Sequence, residues 1–284
     1  MTSIEEALKA HYLFCFSHDG AGNEADSAFF DAELLLCHVL DCDRTYLKTW
    51  PEKILTDHQK KQFTSLIEAR RSGQPVAHIL GRRDFWTLEL FVTPATLIPR
   101  PDTEILIECA LKLELPNKAV VLDLGTGTGA IALSLASERP EWQVTGSDAF
   151  AEVVELAQKN AVHNQLERVK VVCSAWFELF AGERFHLIVS NPPYIDPQDP
   201  HLKQGDLRFE PISALVAQEK GMADIHHIVK NAINYLHPKG WLILEHGYQQ
   251  GELVRNCFEY AGFNHVKTVS DYGNNERITM GQIT

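Results

Sequence analysis

The sequence lacks the usual signatures of a metal site. It has no C-x-x-C pair and no tight group of histidines and cysteines, which excludes the common zinc-binding patterns. We therefore expect no metal in the site. In the absence of an export signal, scattered cysteines are typical of reduced, mostly buried thiols. The six are Cys15, Cys37, Cys42, Cys109, Cys173 and Cys257.

Positive charge and long apolar runs are also scarce. The 284 residues include 26 Lys and Arg against 38 Asp and Glu, a net charge of -12, so bulk charge does not attract the phosphates of nucleic acid. No stretch approaches the roughly 20 apolar residues that span a membrane. The first ten residues carry two glutamates and no apolar core, which argues against a signal peptide. We expect a cytoplasmic monomer that binds neither membranes nor nucleic acid.

The first 74 residues predict a small helical domain. An apolar stripe with helical spacing runs through Ala32, Leu35, Leu36, Val39 and Leu40. A second helix is introduced by Thr56 and Asp57, both plausible N-caps, and stopped by Gly73.

Residues 75–100 predict a β-hairpin that links two domains. The segment is rich in strand-favouring side chains, among them Val76, Ile79, Phe85 and Trp86. Residues 81–84, Gly-Arg-Arg-Asp, offer the turn between the two strands.

Residues 101–284 predict an α/β domain with a mostly parallel sheet. Helix-like stretches alternate there with buried apolar runs at 119–124, 143–147, 169–172, 186–190 and 240–244. Such alternation is typical of a sheet covered by helices on both faces, and ligands bind at the carboxyl ends of its strands.

A glycine-rich turn follows the first of these strands. Gly125, Thr126, Gly127, Thr128 and Gly129 have the spacing G-x-G-x-G, which is neither the dinucleotide nor the phosphate-loop pattern, and no lysine is present to hold a phosphate. The next strand ends at Asp148, whose carboxylate can accept from both hydroxyls of a ribose. The pattern therefore favours an adenosine ligand without a pyrophosphate.

The fourth strand ends in Asn191, Pro192, Pro193 and Tyr194. The prolines fix the backbone and cannot donate hydrogen bonds, while their carbonyls remain free acceptors. Together with the Asn191 oxygen they form a rigid pair of acceptors that matches an NH2 group, and Tyr194 supplies an aromatic face for a planar group. Held in this way, an amide nitrogen is oriented toward a methyl sulfonium, and no covalent nucleophile is needed.

These motifs resemble the class I, seven-stranded, Rossmann-like methyltransferases that act on amino and amide nitrogens. Nearly the whole chain is similar to the HemK/PrmC family of N5-glutamine methyltransferases. The additional segments that carry the resemblance are residues 31–36, 75–81, 84–86, 97–104, 208–211, 245–247 and 271–273 with Arg277.

The resemblance implies a helical substrate-recognition domain at 1–74, the linker at 75–100 and a methyltransferase domain at 101–284. It implies S-adenosyl-L-methionine as cofactor, with S-adenosyl-L-homocysteine as product. The substrate it implies is the glutamine of the Gly-Gly-Gln loop in class 1 peptide-chain release factors.

Individual residues take roles from the same resemblance. Gly125–Gly129 would line the amino-acid end of the cofactor, Asp148 the ribose and Trp176 the adenine. Asn191–Tyr194 would hold the glutamine amide, and Asn191 would also contact the cofactor. One departure concerns adenine: the family commonly has an acidic residue directly before the aromatic one, and this chain has Ala175. Ser174 or a backbone carbonyl is expected to serve instead.

Three alternatives remain open from the sequence. The same acceptor pair would suit a flipped DNA base with an exocyclic amino group, although the chain has no basic stripe and no evident target-recognition domain. A glutamine of a ribosomal protein is a second possible substrate. The third alternative is a binding module that retains the fold without activity. Glu245 ends a strand at the ligand edge of the sheet and is a further candidate for the site.

Overall fold

The computed structural model describes the backbone of residues 2–16 and 22–284 and the side chains of residues 2–11 and 28–284. The chain divides into two compact units, Met1–Gly81 and Arg82–Thr284. Within the described residues, no helix is both long enough and apolar enough to cross a membrane. The division at residues 74 and 100 stays a prediction.

The first unit is helical, as predicted. Its helices are α1 (Ile4–Phe16), α2 (Gly22–Leu40), α3 (Arg44–Thr49), α4 (Asp57–Arg71) and α5 (Val76–Leu80). Thr56 caps α4, because its hydroxyl accepts from the N–H of Gln59 while the Gln59 side chain accepts from the N–H of Thr56. The stripe residues Ala32, Leu35 and Leu36 are fully buried in the core of this unit.

Two local predictions for residues 76–96 are wrong. Val76 and Ile79 lie in helix α5, which begins after Pro75 and ends at Gly81 in the left-handed conformation (φ +70°). Their i, i+3 spacing fits a single helical turn as well as a strand. The hairpin consists of β1 (Arg82–Phe85) and β2 (Leu88–Phe91), so residues 82–84 form a strand. The turn lies at residues 86–87, where Trp86 has a φ of +55°.

The second unit is built on a seven-stranded sheet. Its strands are β3 (Val120–Leu124), β4 (Gln143–Asp148), β5 (Lys170–Cys173), β6 (Phe185–Ser190), β7 (Leu236–Glu245), β8 (Asn264–Ser270) and β9 (Glu276–Gln282). The order is β5-β4-β3-β6-β7-β9-β8, and β9 runs antiparallel to both of its neighbours. The strand order reverses between β3 and β6, which creates a crevice at the carboxyl ends of these strands.

Helices cover both faces of the sheet. They are α6 (Glu104–Leu111), α7 (Ala130–Glu138), α8 (Ala151–His163), α9 (Ile212–Leu215), α10 (Gln218–Gly221), α11 (Ala223–Ala232) and α12 (Gly251–Ala261). Successive side chains of β3 pack into two different hydrophobic cores, one on each face of the sheet. Val121 packs with α6, α7 and α8, whereas Leu122 packs with α11 and α12. The α/β prediction and the five predicted strand positions are confirmed, whereas the sequence pattern does not predict α9, α10, α12, β8 or β9.

The prediction that the cysteines are mostly buried is wrong for the described part of the chain. Only Cys109 is buried there, Cys173 is exposed, and Cys37, Cys42 and Cys257 are partly accessible. Cys15 lies outside the described side chains. A thiol tolerates partial exposure because its weak polarity carries little cost in either environment.

Asn160, on α8, links the hairpin to the glycine-rich loop. Its Nδ2 donates to the carbonyls of Phe91 (3.0 Å) and Thr128 (2.8 Å), and its Oδ1 accepts from the Phe91 N–H at 2.7 Å. The side chain is fully buried, so each of these bonds lacks a ready replacement from water.

Asn160→Ala is expected to lower the free energy of unfolding by about 2–4 kcal/mol, since it removes three hydrogen bonds between a fully buried side chain and the backbone. Asn164→Ala is the matched control on the same helix. Its Nδ2 also donates to a hairpin carbonyl, that of Glu89, but the residue is only half-buried, so we expect a loss of about 1 kcal/mol. Equal losses in urea unfolding would contradict the linking role of Asn160.

Candidate active site

A cavity of about 270 Å³ lies at the carboxyl ends of β3, β4, β5 and β6. Its walls come from the glycine-rich loop, the ends of β4 and β5, the segment after β6, and the starts of α6 and α11. Asp148 and Asp224 are the only charged side chains among the residues that line it. With two carboxylates and no cation, the cavity suits a ligand that is positively charged and carries no phosphate.

The buried carboxylate of Asp123 holds the glycine-rich loop. Its Oδ2 accepts from the Thr126 hydroxyl at 2.6 Å and from the N–H of Ala132, in the first turn of α7, at 3.2 Å. Burial raises the pKa of Asp123 to about 7, and the two hydrogen bonds oppose that rise. Gly125 and Gly127 have φ values of +67° and +56°, a conformation that favours glycine and leaves this stretch of backbone open to a ligand.

Gly146, in the middle of β4, makes room for the loop. A Cβ at this position would lie 2.7 Å from the Thr126 Oγ1, closer than real contacts allow. An isolated glycine inside a strand is a known sign of close approach, but the sequence reasoning did not single it out.

Asp148 lies at the end of β4 and faces the loop. Its Oδ2 accepts from the Gly127 N–H at 3.1 Å, and its Oδ1 accepts from the Phe150 N–H at 3.2 Å. Burial raises the pKa of this carboxyl, and the backbone N–H donors partly offset the effect. Asp148 is therefore oriented by the backbone on both sides while it lines the cavity.

Asn191 begins the segment after β6 and is oriented by Thr103. The Asn191 Nδ2 donates to the Thr103 hydroxyl at 3.3 Å, which directs the amide oxygen away from that contact. Pro192 is buried, and Pro193 lines the cavity beside Asn191. Thr103 also lines the cavity, a role that the sequence pattern does not predict.

Tyr194 points toward a buried acidic residue. Its hydroxyl donates to Glu245 Oε1 at 3.2 Å, and its ring packs on the core beneath the sheet end. Burial raises the pKa of Tyr194, and the charge of Glu245 raises it further. Burial also raises the pKa of Glu245 to about 7, against the effect of hydrogen bonds from Thr103 and Tyr194 and the charge of Arg277. Thr103 therefore lies near both the Glu245 carboxyl and the Asn191 amide.

The predicted site residues fall into two groups. Those that line the cavity are Gly125, Thr126, Gly127, Thr128, Asp148, Trp176, Asn191 and Pro193. Gly129, Pro192 and Tyr194 adjoin them in the chain and are not among the residues that line the cavity. Gly129 begins α7 with a φ of +86°, and a Cβ there would lie 3.0 Å from the Leu133 side chain, so its glycine serves the turn and its packing.

Glu245→Gln is expected to change how stability depends on pH. A carboxyl whose pKa rises from 4.5 unfolded to about 7 folded makes the free energy of unfolding fall as pH rises through that window. The substitution removes this contribution, so the variant should lose less stability between pH 5 and pH 7.5 than the wild type in urea unfolding. Asp123, whose pKa is also raised, makes the free energy of unfolding fall with pH in both the wild type and the variant. If the two proteins showed the same slope of unfolding free energy against pH, Glu245 would be ionised across this range.

Comparison with known proteins shows which family this chain belongs to. The PrmC N-terminal domain model matches residues 21–81, and the methyltransferase small domain model matches residues 101–206. A release factor glutamine methyltransferase from Salmonella typhimurium is 54% identical over 262 residues, covering 92% of this chain and 94% of that protein. One from Shewanella oneidensis is 52% identical over 279 residues, covering 98% and 96%.

The solved structures that resemble this one share its fold. A methyltransferase from Pyrococcus furiosus superposes with a TM-score of 0.53 at 18% identity, covering 77% of this chain and 96% of that chain. At this identity the likeness bears on the fold alone, whereas the sequence relatives span almost the whole chain. The chain belongs to the release factor glutamine methyltransferase family.

Proposed function

We propose that this protein transfers a methyl group from S-adenosyl-L-methionine to the side-chain amide nitrogen of a glutamine in a class 1 release factor. The observation that carries the proposal is Asn191, which lines a cavity that suits a cation, has its amide oriented by Thr103, and directly precedes Pro192. The relatives with more than half of their residues identical, which bear the name release factor glutamine methyltransferase, support the choice of substrate.

The cavity supports the assignment of the cofactor. S-adenosyl-L-methionine supplies the methyl group on a positively charged sulfur, and the two lining carboxylates favour such a charge. We assign Gly125–Gly129 to its amino-acid end, Asp148 to the ribose hydroxyls and Trp176 to the adenine. The open backbone of the glycine-rich loop permits close approach, and the ring of Trp176 borders Gly125, 3.7 Å from where a Cβ would lie.

The substrate amide is assigned to the segment after β6. An amide nitrogen is a poor nucleophile because its lone pair is delocalised into the carbonyl. With both of its N–H bonds donated to the Asn191 oxygen and the Pro192 carbonyl, the nitrogen is oriented for attack, and the positive charge that develops on it is stabilised. The proton of the product is then lost to solvent.

Tyr194 is assigned to the same substrate site as an aromatic face for the planar amide. Its hydroxyl bond to Glu245 fixes the ring, so the ring can position the amide without reorganisation. Recognition of the rest of the release factor is assigned to the helical N-terminal region.

The direct test measures transfer of a radiolabelled methyl group to three acceptors. These are a purified release factor, the same factor with its Gly-Gly-Gln glutamine changed to alanine, and duplex DNA. Label on the first alone is expected. Label on the alanine variant would contradict the assigned target, label on DNA would support a base methyltransferase, and label on none of them would contradict the proposed substrate.

Asn191→Ala and Asp148→Ala should affect turnover and cofactor binding differently. Asn191→Ala removes an acceptor used by the reacting nitrogen, so kcat should fall by about 100-fold or more while S-adenosylhomocysteine affinity by calorimetry stays within a few-fold. Asp148→Ala should weaken that affinity by about 10-fold or more, because it removes a charge-assisted partner of the ribose. Full turnover in the first variant, or unchanged affinity in the second, would refute the corresponding role.

A further inference from the structure

The cavity contains a second carboxylate, Asp224, to which no specific group of the cofactor has been assigned. Asp224 lines the cavity together with Ser174, Ala175 and Trp176, at the end formed by the segment after β5. Asp148 is held by two backbone N–H groups, whereas Asp224 accepts no hydrogen bond from any residue whose side chain or backbone is described. An ordered carboxylate without a donor is a natural acceptor for a ligand.

The fold fixes the position of Asp224. It lies in the first turn of α11, which is anchored in the core by Ile225, Ile228 and Val229, all fully buried. His227, one turn further along, has its ring centroid 6.4 Å from that of Trp176. The first turn of α11 therefore lies beside the indole that we assign to the adenine.

The ionisation of Asp224 is consistent with a ligand partner. Burial raises its pKa, and the only charge that opposes this rise is that of His227. A donor from the ligand would favour the charged form and offset the burial. Ala175, the residue before Trp176, contributes no polar side-chain atom at this end of the cavity.

We propose that Asp224 accepts a hydrogen bond from the exocyclic amino group of the cofactor's adenine and thereby selects adenine over other bases. The inference rests on the proposed function, since it requires S-adenosylmethionine in this cavity. The hydrogen bond to the adenine amino group is thereby assigned to helix α11, which lies about 50 residues after Trp176 in the chain.

The test compares binding of S-adenosyl-L-homocysteine with that of S-inosyl-L-homocysteine by calorimetry. The inosyl compound has a carbonyl oxygen in place of the amino group, which a carboxylate repels. The wild type should prefer the adenosyl compound by about 10- to 100-fold, the usual range for a hydrogen bond to a charged group. In Asp224→Asn the preference should fall to a few-fold, because an amide can accept from the amino group or donate to the carbonyl.

Asp224→Ala should weaken adenosyl binding by about 10-fold or more while its circular dichroism and melting temperature stay close to those of the wild type. Adding Ala175→Asp to Asp224→Ala tests whether a carboxylate at position 175, in the same lining, restores the preference, which we expect at least in part. Glu219→Gln, an exposed acidic residue paired with His226 and outside the cavity lining, is the matched control and should change neither affinity.

The outcomes separate the two proposals. If the wild type binds neither compound, the proposed cofactor is wrong and this inference falls with it. If the wild type binds the adenosyl compound and Asp224→Ala keeps the full preference, the proposed function stands and the role of Asp224 is refuted. Equal binding of both compounds by the wild type would refute it as well.

Discussion

The hydrogen bonds accepted by the buried carboxylate of Asp123 are the contacts on which the rest of the site depends. Its Oδ2 accepts from both the Thr126 hydroxyl and the first turn of α7, so one carboxylate holds the glycine-rich loop against the helix that follows it. The Thr126 N–H in turn donates to the Ser147 carbonyl at 2.8 Å, which ties the loop to the end of β4 and so to Asp148. The two parts that we assign to the cofactor are therefore positioned by one network.

The substrate nitrogen is assigned to the β6 side of the crevice between the ends of β3 and β6, opposite the residues assigned to the cofactor. β3 and β4 carry the residues assigned to the methyl donor, while β6 carries those assigned to the acceptor, so the order reversal between β3 and β6 brings donor and acceptor together. The hydroxyl of Ser190 donates to the Leu124 carbonyl at 2.6 Å and joins these two strand ends. Catalysis by position requires such a rigid junction, since misplacement of a reacting atom by 1 Å is costly.

The sequence predicted those parts of the molecule that depend on local patterns. Strand positions, the glycine-rich loop and the Asn191 segment each leave a short, continuous signature. The sequence did not predict helix α5, because Val76 and Ile79 are three positions apart and this spacing fits either a helix or a strand in so short a segment. The sequence did not predict that Thr103 and Asp224 line the cavity. Their positions depend on contacts between segments that are distant in the chain, and a local sequence pattern does not reveal such contacts.

The central claim is that Asn191 and Pro192 hold the two N–H bonds of the substrate amide. The most direct measurement is a crystal structure with S-adenosyl-L-homocysteine and a Gly-Gly-Gln peptide. The account predicts that the glutamine nitrogen lies about 3 Å from both the Asn191 oxygen and the Pro192 carbonyl oxygen, with its lone pair toward the sulfur. A glutamine nitrogen bound to other acceptors, with the Asn191 oxygen out of its reach, would contradict it.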